Sequence, residues 1–375
     1  MSDVAAEVDL GSLLDEHGIL VCCGTGGVGK TTTAAVLAME GARRGRRSVV
    51  VTIDPAKRLA DTLGLGTLTN SARCIEGDWR GELWALMLDT KTTFDNLVTA
   101  YAPSPEQAER ILANRFYRNI SGALSGTQEY MAGEKLYELH DLGAEGDDGE
   151  RVSFDLVVVD TPPTRNALDF LDASRRLTAF LDHRLYRLLT APTRAYMRAV
   201  NVAAQAFVRT VSKVVGGEVL EDALRFFSAF EGMEAGFRER AARVQALLSD
   251  PQTAYVLVAS PRQDTVAEAA WFAGRLGESA LPVEALVVNR MHPRFGEGRA
   301  EADRERARTL AGSELGGLYA NLADFRTMAD GEEAHLAGLA ASVAPAPVVR
   351  VPFLAEDVHD VATLEQVGAH LFGRA

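Results

Sequence analysis

Glycine, lysine and threonine occur together in residues 24–32 with a spacing that suits a phosphate group. Gly24 is followed, after four intervening residues, by Gly29, Lys30 and Thr31, which matches the pattern G-x-x-x-x-G-K-[ST]. In such a loop backbone N–H groups close around phosphate oxygens, the lysine reaches the β- and γ-phosphates, and the threonine hydroxyl ligates Mg²⁺. The spacing therefore predicts a loop that binds Mg-ATP, with ATP and Mg²⁺ as the cofactors.

The loop residues expected to bind the nucleotide are Gly24, Gly26, Gly27, Val28, Gly29, Lys30, Thr31 and Thr32. Lys30 is also a candidate catalytic residue, and Thr31 is a candidate metal ligand. A Gly-rich turn with a chance lysine is the alternative interpretation. The apolar run before the loop and the Ala-rich, helix-forming run after it favour phosphate binding, because the mechanism needs a strand and a helix on the two sides of the loop.

Two aspartates follow apolar runs and therefore lie where strands end. Open α/β sheets bind their ligands at the carboxyl ends of the strands. Asp160 ends the run Val157-Val158-Val159, and a carboxylate there can hold Mg²⁺ directly or through water. Asp54 is the candidate catalytic residue that orients or deprotonates the attacking water. It could also cap a short helix that begins directly after it, and the two roles are compatible.

Seven apolar runs predict buried strands, and they are 18–23, 48–53, 83–88, 156–159, 255–259, 285–288 and 348–351. Helix-patterned stretches separate them, which predicts an α/β fold with a doubly wound, mainly parallel sheet and helices on both faces, as in P-loop NTPases. Residues 173–249 contain no strand pattern and are expected to form an inserted helical subdomain. Residues 1–172 and 250–375 then form the nucleotide-binding domain.

Within the insertion, residues 196–214 have the spacing of an amphipathic helix. Its apolar face would carry Tyr196, Val200, Ala203, Phe207, Val211 and Val214. Such a helix either packs on the core of its own domain or offers an apolar surface to a partner or hydrophobic client. The sequence leaves both interpretations open.

Composition excludes several classes of function. The chain has 375 residues with 39 Lys plus Arg against 52 Asp plus Glu, a net charge of −13, so binding to nucleic acid is not expected. Its 3 cysteines form no C-x-x-C pair, and neither a secretory signal nor a long apolar run is visible. A soluble, cytoplasmic protein is expected.

The three motifs together resemble those of the ArsA-type ATPases, the family of the arsenite-pump ATPase and of the guided-entry factor that delivers tail-anchored membrane proteins. Residues 24–32 are similar to the P-loop of that family, residues 54–61 to its switch I D-P-A-x-x-L-x-D, and residues 160–164 to its switch II D-T-x-P-T. The resemblance implies Mg-dependent ATP hydrolysis coupled to the opening and closing of a homo- or heterodimer of related ATPase chains. It also implies a hydrophobic client or membrane-protein partner at residues 173–249.

Later positions carry weaker parts of the resemblance. Asn289 is similar to the adenine-contacting asparagine of the family, and Val351-Pro352-Phe353-Leu354 to the loop that closes over the adenine. Asn289, Pro352 and Phe353 are therefore expected to contact the nucleotide.

The chain departs from the family at Thr25, where a lysine commonly reaches across a dimer to the partner's nucleotide. Without it the P-loop is a deviant one, and turnover is expected to be low in the absence of a partner. Because the C-x-x-C pair is missing, a zinc-bridged dimer is not expected. The positions of the cysteines also disfavour arsenite binding. Two alternatives are a slowly hydrolysing regulatory subunit of a hetero-oligomer and a partitioning or division-site ATPase. The charge of −13 disfavours the second of these.

Overall fold

The structure is a computed structural model that describes residues 10–54, 58–120, 127–147, 149–162, 169–182, 222 and 225–374. It contains two compact units. The sheet unit comprises Met1–Met87, Gly143–Leu168 and Pro251–Ala375, and the helical unit comprises Leu88–Leu142 and Asp169–Asp250. The sequence interpretation places residues 88–142 in the nucleotide-binding domain, whereas packing groups them with Asp169–Asp250.

The strands of the sheet unit are β1 Ile19–Gly24, β2 Arg47–Thr52, β3 Arg73–Ile75, β4 Glu82–Met87, β5 Ala144–Glu145, β6 Arg151–Val152, β7 Leu156–Asp160, β8 Thr253–Ala259, β9 Val283–Met291 and β10 Val348–Pro352. The main sheet has eight strands in the order β10-β9-β8-β1-β7-β2-β4-β3. Neighbouring strands of this sheet pair in parallel, except that β3 is antiparallel to β4. The predicted mainly parallel sheet is confirmed, with β3 and the β5–β6 hairpin as additions.

The helices are α1 Leu10–Glu16, α2 Lys30–Arg43, α3 Arg58–Thr62, α4 Thr90–Tyr101, α5 Pro105–Leu112, α6 Arg115–Ile120, α7 Thr127–Tyr137, α8 Asp169–Asp182, α9 Glu234–Leu248, α10 Gln263–Glu278, α11 Ala300–Thr309, α12 Glu314–Val343 and α13 Val361–Leu371. A π-helical turn, Glu138–Leu142, follows α7. Within the part of the chain that the structure describes, no helix combines the length and apolar character needed to cross a membrane.

The central strands are apolar along their whole length because both faces of the sheet are covered. Every residue of β1, β7 and β8 is buried. Helices α1, α2 and α13 contribute to the core on one face, and α10 and α12 pack on the strands from the other. Continuous burial explains why these strands show no alternation of polar and apolar residues.

The connections of the sheet place a crevice next to β1. From β1 the chain passes through α2 to β2, whereas from β8 it passes through α10 to β9, in the opposite direction along the sheet. Since β1 and β8 are paired neighbours, their helices leave to opposite sides. Such a point in an open parallel sheet is where ligands bind, outside the carboxyl ends of the strands.

Aromatic contacts and a buried ion pair stabilise the described part of the helical unit. Tyr117 of α6 stacks on Phe226 with 5.9 Å between the ring centres. Arg240 of α9 donates from Nε to Oε2 of Glu134 in α7 at 2.6 Å, and the Tyr130 hydroxyl donates to the same carboxylate. The predicted amphipathic helix at 196–214 lies outside the described residues.

The fit of α2 on the sheet depends on a glycine in the buried face of that helix. A Cβ on Gly41 would lie 2.5 Å from both Leu156 Cδ2 and Ser48 Oγ. Gly274 in α10 has nothing within 4 Å of an added Cβ, so it serves as a matched control.

We expect Gly41→Ala to lower the free energy of unfolding by about 1 to 3 kcal/mol, because overpacking outweighs the better helix propensity. Gly274→Ala should raise it by about 0.5 to 1 kcal/mol through propensity alone. Urea denaturation of the two variants and the wild type checks both values. Equal stabilisation by the two substitutions would contradict the close packing of α2.

Candidate nucleotide-binding site

The loop between β1 and α2 presents a helix N-terminus to an open cavity. Helix α2 begins at Lys30, its N-cap is Gly29 with φ 98°, and its first turn contains no acidic residue. The free N–H groups and the helix dipole therefore favour an anion at this end. The cavity has a volume of about 410 Å³ and is lined by Gly27, Gly29, Lys30, Thr31, Thr32, Asp54, Arg58, Asp61, Thr62, Thr161 and Arg290.

Two glycines of the loop allow close approaches that a side chain would prevent. A Cβ on Gly24 would lie 2.1 Å from the carbonyl oxygen of Val258 in β8. A Cβ on Gly29 would lie 2.1 Å from Nδ2 of Asn289, and that nitrogen donates a hydrogen bond of 3.0 Å to the carbonyl oxygen of Val28. The loop is thus fixed against the ends of β8 and β9.

Lys30 lies within the loop and is only 6% exposed. Its Nζ donates a hydrogen bond of 2.7 Å to the carbonyl oxygen of Thr25. Burial lowers the pKa of the ammonium group, and the nearby carboxylates of Asp160 and Asp54 oppose this effect. Phosphate oxygens in the cavity would add the negative charge that a buried ammonium group needs.

Asp160 joins the loop to the neighbouring strand β2. Its Oδ2 accepts hydrogen bonds from the hydroxyl of Thr31 at 2.8 Å and from that of Thr52 at 2.9 Å. Its Oδ1 is buried and has no hydrogen-bond partner among the described residues. An unpartnered buried carboxylate oxygen beside a threonine hydroxyl fits a divalent ion that prefers oxygen ligands, such as Mg²⁺.

Burial also changes the acidity of this carboxyl group. Asp160 is 1% exposed, and desolvation raises its pKa from 3.8 to about 6. The hydrogen bonds from Thr31 and Thr52 and the charge of Lys30 lower the pKa, whereas the charge of Asp54 raises it. The structure therefore holds a carboxyl group whose charge is costly until a cation is added.

Asp54 is tied to Asp160 through one hydroxyl group. The backbone N–H of Asp54 donates to Thr52 Oγ1 at 3.2 Å, and the same hydroxyl donates to Asp160. The backbone N–H of Ile53 donates to the carbonyl oxygen of Asp160 at 3.1 Å. On the other side, the Thr161 hydroxyl donates to the carbonyl oxygen of Cys22 in β1 at 2.7 Å. These bonds fix the ends of β1, β2 and β7 relative to one another.

The structure brings most of the predicted site residues together, but not all of them. Asp54 and the loop residues from Gly27 onwards surround the cavity, apart from Val28, and Asp160 lies beneath Thr31. Pro352 instead lines a second cavity of about 370 Å³, together with Met291 and His292. Phe353 is 60% exposed and stacks on His292 with 6.2 Å between the ring centres.

Six residues in or beside the cavity were absent from the predicted site: Thr52, Arg58, Asp61, Thr62, Thr161 and Arg290. The signal for Thr52 was its position two residues before Asp54, at the end of a strand. Arg58 and Asp61 lie within residues 54–61, which resemble switch I, and Thr62 directly follows them. Thr161 lies within residues 160–164, which resemble switch II. Arg290 directly follows Asn289, but nothing in the sequence pattern directs its side chain towards the loop.

A parallel sheet with a G-x-x-x-x-G-K-[ST] loop at the N-terminus of a helix, facing an aspartate at the end of a neighbouring strand, defines the P-loop class of nucleotide-binding proteins. Within that class, residues 17–309 match the family model described as the anion-transporting ATPase. The match covers more than half of the chain, and the protein belongs to this family.

Individual relatives agree with this assignment. The ATPase GET3B of Arabidopsis thaliana is 27% identical over 288 residues, which cover 72% of this chain and 63% of the relative. The ATPase GET3 of Eremothecium gossypii is 27% identical over 189 residues, covering 48% of this chain and 52% of the relative. The chain thus spans less than two thirds of the length of these relatives.

The raised pKa of Asp160 predicts a pH dependence of stability in the absence of nucleotide. A folded-state pKa above the unfolded value means that the folded state prefers the protonated carboxyl group. The contribution of the Asp160 carboxyl group to the free energy of unfolding is fully present below pH 3.8 and is lost as pH rises through about 6. We expect this loss to amount to about 2 to 3 kcal/mol of unfolding free energy.

Asp160→Asn should abolish this component, so that the variant gains stability relative to the wild type between pH 4 and pH 7. Asp324→Asn, which changes an exposed carboxylate on α12, is the matched control and should leave the pH profile unchanged. Chemical denaturation at a series of pH values measures the difference. Parallel profiles for the wild type and Asp160→Asn would show that Asp160 is not the desolvated group described above.

Proposed function

We propose that this chain binds and hydrolyses ATP with Mg²⁺ and acts as a nucleotide-driven switch. One observation carries the proposal: the Asp160 carboxylate accepts hydrogen bonds from Thr31 and Thr52 through one oxygen, while its other oxygen is buried without a partner among the described residues. A metal position is thereby prepared beside a phosphate-binding helix N-terminus. Membership of the anion-transporting ATPase family supports the same activity.

The proposed roles follow from position. The N–H groups of residues 27–32 and the Lys30 ammonium group bind the phosphates, and Thr31 with Asp160 holds Mg²⁺. When bound, Mg²⁺ neutralises phosphate charge and orients the phosphate oxygens. Asp54 lines the same cavity and orients the attacking water. Asn289, Pro352 and Phe353 remain proposed contacts of the adenine, on the strength of the sequence resemblance.

The bond from Asp54 to Thr52 gives the switch a physical basis. Thr52 donates its hydroxyl hydrogen to Asp160 and accepts the N–H of Asp54. A change in the bonding of the Asp160 carboxylate on metal binding is therefore passed to the backbone that carries Asp54. We propose that this link couples the nucleotide state to a rearrangement of a homo- or heterodimer of related chains.

Partners and location belong to the same proposal. The helical unit, which contains residues 173–249, is the proposed site of a hydrophobic client or membrane-protein partner. The proposed location is the cytoplasm, in keeping with the free cysteines Cys22, Cys23 and Cys74.

A slowly hydrolysing regulatory subunit is the second candidate function. The observation that favours it is Thr25, which is buried and uncharged at the loop position where the family commonly has a lysine. In that case bound nucleotide would mainly stabilise an assembly, because a ligand that binds only the folded state shifts the equilibrium towards it.

Steady-state ATPase assays distinguish the two functions. We expect Lys30→Ala to lower kcat/KM by roughly 10²- to 10³-fold through loss of phosphate stabilisation. Asp54→Asn should lower kcat by roughly 10²- to 10⁴-fold with little change in KM, because it removes water positioning and not binding. Chelation of Mg²⁺ should abolish turnover.

The control variants are Lys91→Ala and Asp78→Asn, which change exposed residues outside the cavity. Both should retain wild-type turnover. If the wild type and Lys30→Ala hydrolyse ATP equally slowly while only the wild type is stabilised by Mg-ATP, the regulatory subunit is the correct function.

The switch also predicts a conformational response. Small-angle X-ray scattering of the purified chain should give different curves with Mg-ADP and with a non-hydrolysable Mg-ATP analogue, because dimer arrangement follows the nucleotide. Lys30→Ala should give one curve in both conditions. Identical curves for the wild type, at nucleotide concentrations shown to saturate binding, would rule out coupling of nucleotide state to dimer arrangement.

A further inference from the structure

Arg290 reaches the phosphate cavity from a strand end that is bonded to the P-loop. Asn289, its neighbour, donates from Nδ2 to the Val28 carbonyl oxygen at 3.0 Å. A Cβ on Gly29 would lie 2.1 Å from that same nitrogen, so the two segments are in direct contact. Arg290 lines the same cavity as Lys30. Its position is therefore fixed relative to the loop that binds phosphate.

The backbone at Arg290 adopts a conformation that residues with a Cβ avoid. Its φ is 63°, in the left-handed region, although it lies within the bounds of β9. The Arg290 N–H donates to the side-chain oxygen of Asn289 at 2.9 Å, which holds this conformation. In a regular strand successive side chains point to opposite faces, and the left-handed residue breaks that alternation. Backbone outliers of this kind gather at ligand sites.

The charges of the cavity make Arg290 important for an anionic ligand. Among its lining residues Lys30, Arg58 and Arg290 are cationic, and Asp54 and Asp61 are anionic. Without Arg290 the formal charges of the lining residues would cancel. The carboxylate of Asp160 beneath the loop would then add further negative charge. The whole chain carries −13, so the surrounding field does not attract a polyphosphate.

The guanidinium group of Arg290 is free to take a ligand. Among the described residues it forms no ion pair, whereas Arg294 pairs with Asp330 at 3.3 Å and Arg350 pairs with Glu333 at 2.5 Å. Arg290 is also exposed and lines the cavity, so a ligand in the cavity can approach it. A planar guanidinium group suits two phosphate oxygens at once.

We propose that Arg290 is a phosphate-binding cation of this nucleotide site, supplied by the same chain that supplies the P-loop. The inference rests on the proposed function in one respect, namely that ATP occupies the cavity. Arg290 then contacts phosphate oxygens beside those bound by Lys30. The site takes a second cation from its own chain, although Thr25 offers none.

Calorimetric titration of the full chain with Mg-ADP, Mg-ATP and adenosine tests the proposal. We expect Arg290→Ala to weaken binding of both phosphorylated ligands by roughly tenfold or more, as for the loss of a hydrogen bond to a charged group. Adenosine binding should not change, because adenosine has no phosphate. The dependence of Mg-ADP affinity on salt should become shallower in the variant.

Three further variants separate charge from folding. Arg290→Gly removes the charge and adopts the left-handed backbone without strain, so it should lose affinity as Arg290→Ala does even if the alanine variant is less stable. Arg290→Lys should retain part of the affinity. Arg275→Ala removes an equal charge in the last turn of α10, which lies towards the amino ends of the strands and away from the cavity. This variant should bind Mg-ADP like the wild type. Equal Mg-ADP affinity in Arg290→Gly and Arg275→Ala would overturn the proposal.

Mixing experiments decide whether the arginine acts within its own chain. Lys30→Ala retains Arg290, and Arg290→Gly retains Lys30. If Arg290 served the site of a partner, the mixture would regain nucleotide binding and turnover; we expect no gain over the separate variants. Recovery on mixing would overturn the assignment to the same chain. Failure of the wild type to bind Mg-ATP would instead overturn the proposed function and this inference together.

Discussion

The hydrogen-bonded, buried carboxylate of Asp160 links the phosphate-binding loop to the two strands beside it. Thr31 donates to it from the start of α2, Thr52 donates from the end of β2, and Asp160 itself ends β7. Desolvation raises its pKa, so its ionised form lowers the stability of the protein without a ligand. The fold holds this charge in place because one donor belongs to the first turn of α2 and the other ends β2.

The order of the strands places the Asp160 carboxylate beside the loop. β1 lies between β8 and β7, and β7 pairs with β2, so the loop after β1 emerges between strands whose ends carry the other polar groups. The loop also packs so closely on β8 that it has no room for a side chain at Gly24, where a Cβ would lie 2.1 Å from the backbone of β8. The composition of the loop is therefore as much a requirement of packing as of phosphate binding.

Sequence patterns predicted the parts of the structure that depend on local rules. Strands buried on both faces appear as continuous apolar runs, so β1, β7 and β8 could be found, whereas β3 has three residues, two of them exposed, and gave no pattern. Lys30, Thr31 and Asp160 followed from motif spacing. Arg290 could not be found in this way, because its position depends on how distant segments meet. Thr52 has a signal in its place at a strand end two residues before Asp54, but its bond to Asp160 depends on the pairing of β2 with β7. The grouping of residues 88–142 with the helical unit likewise depends on contacts such as Tyr117 with Phe226.

The pairing of β1 has a consequence for the synthesis of the protein. β1 (Ile19–Gly24) is translated long before both strands that pair with it, which are β7 (Leu156–Asp160) and β8 (Thr253–Ala259). Until then an apolar strand has two unpaired edges, which is a condition that promotes aggregation. Because contacts this distant along the chain also form slowly, both edges of β1 stay open to non-native pairing during that interval.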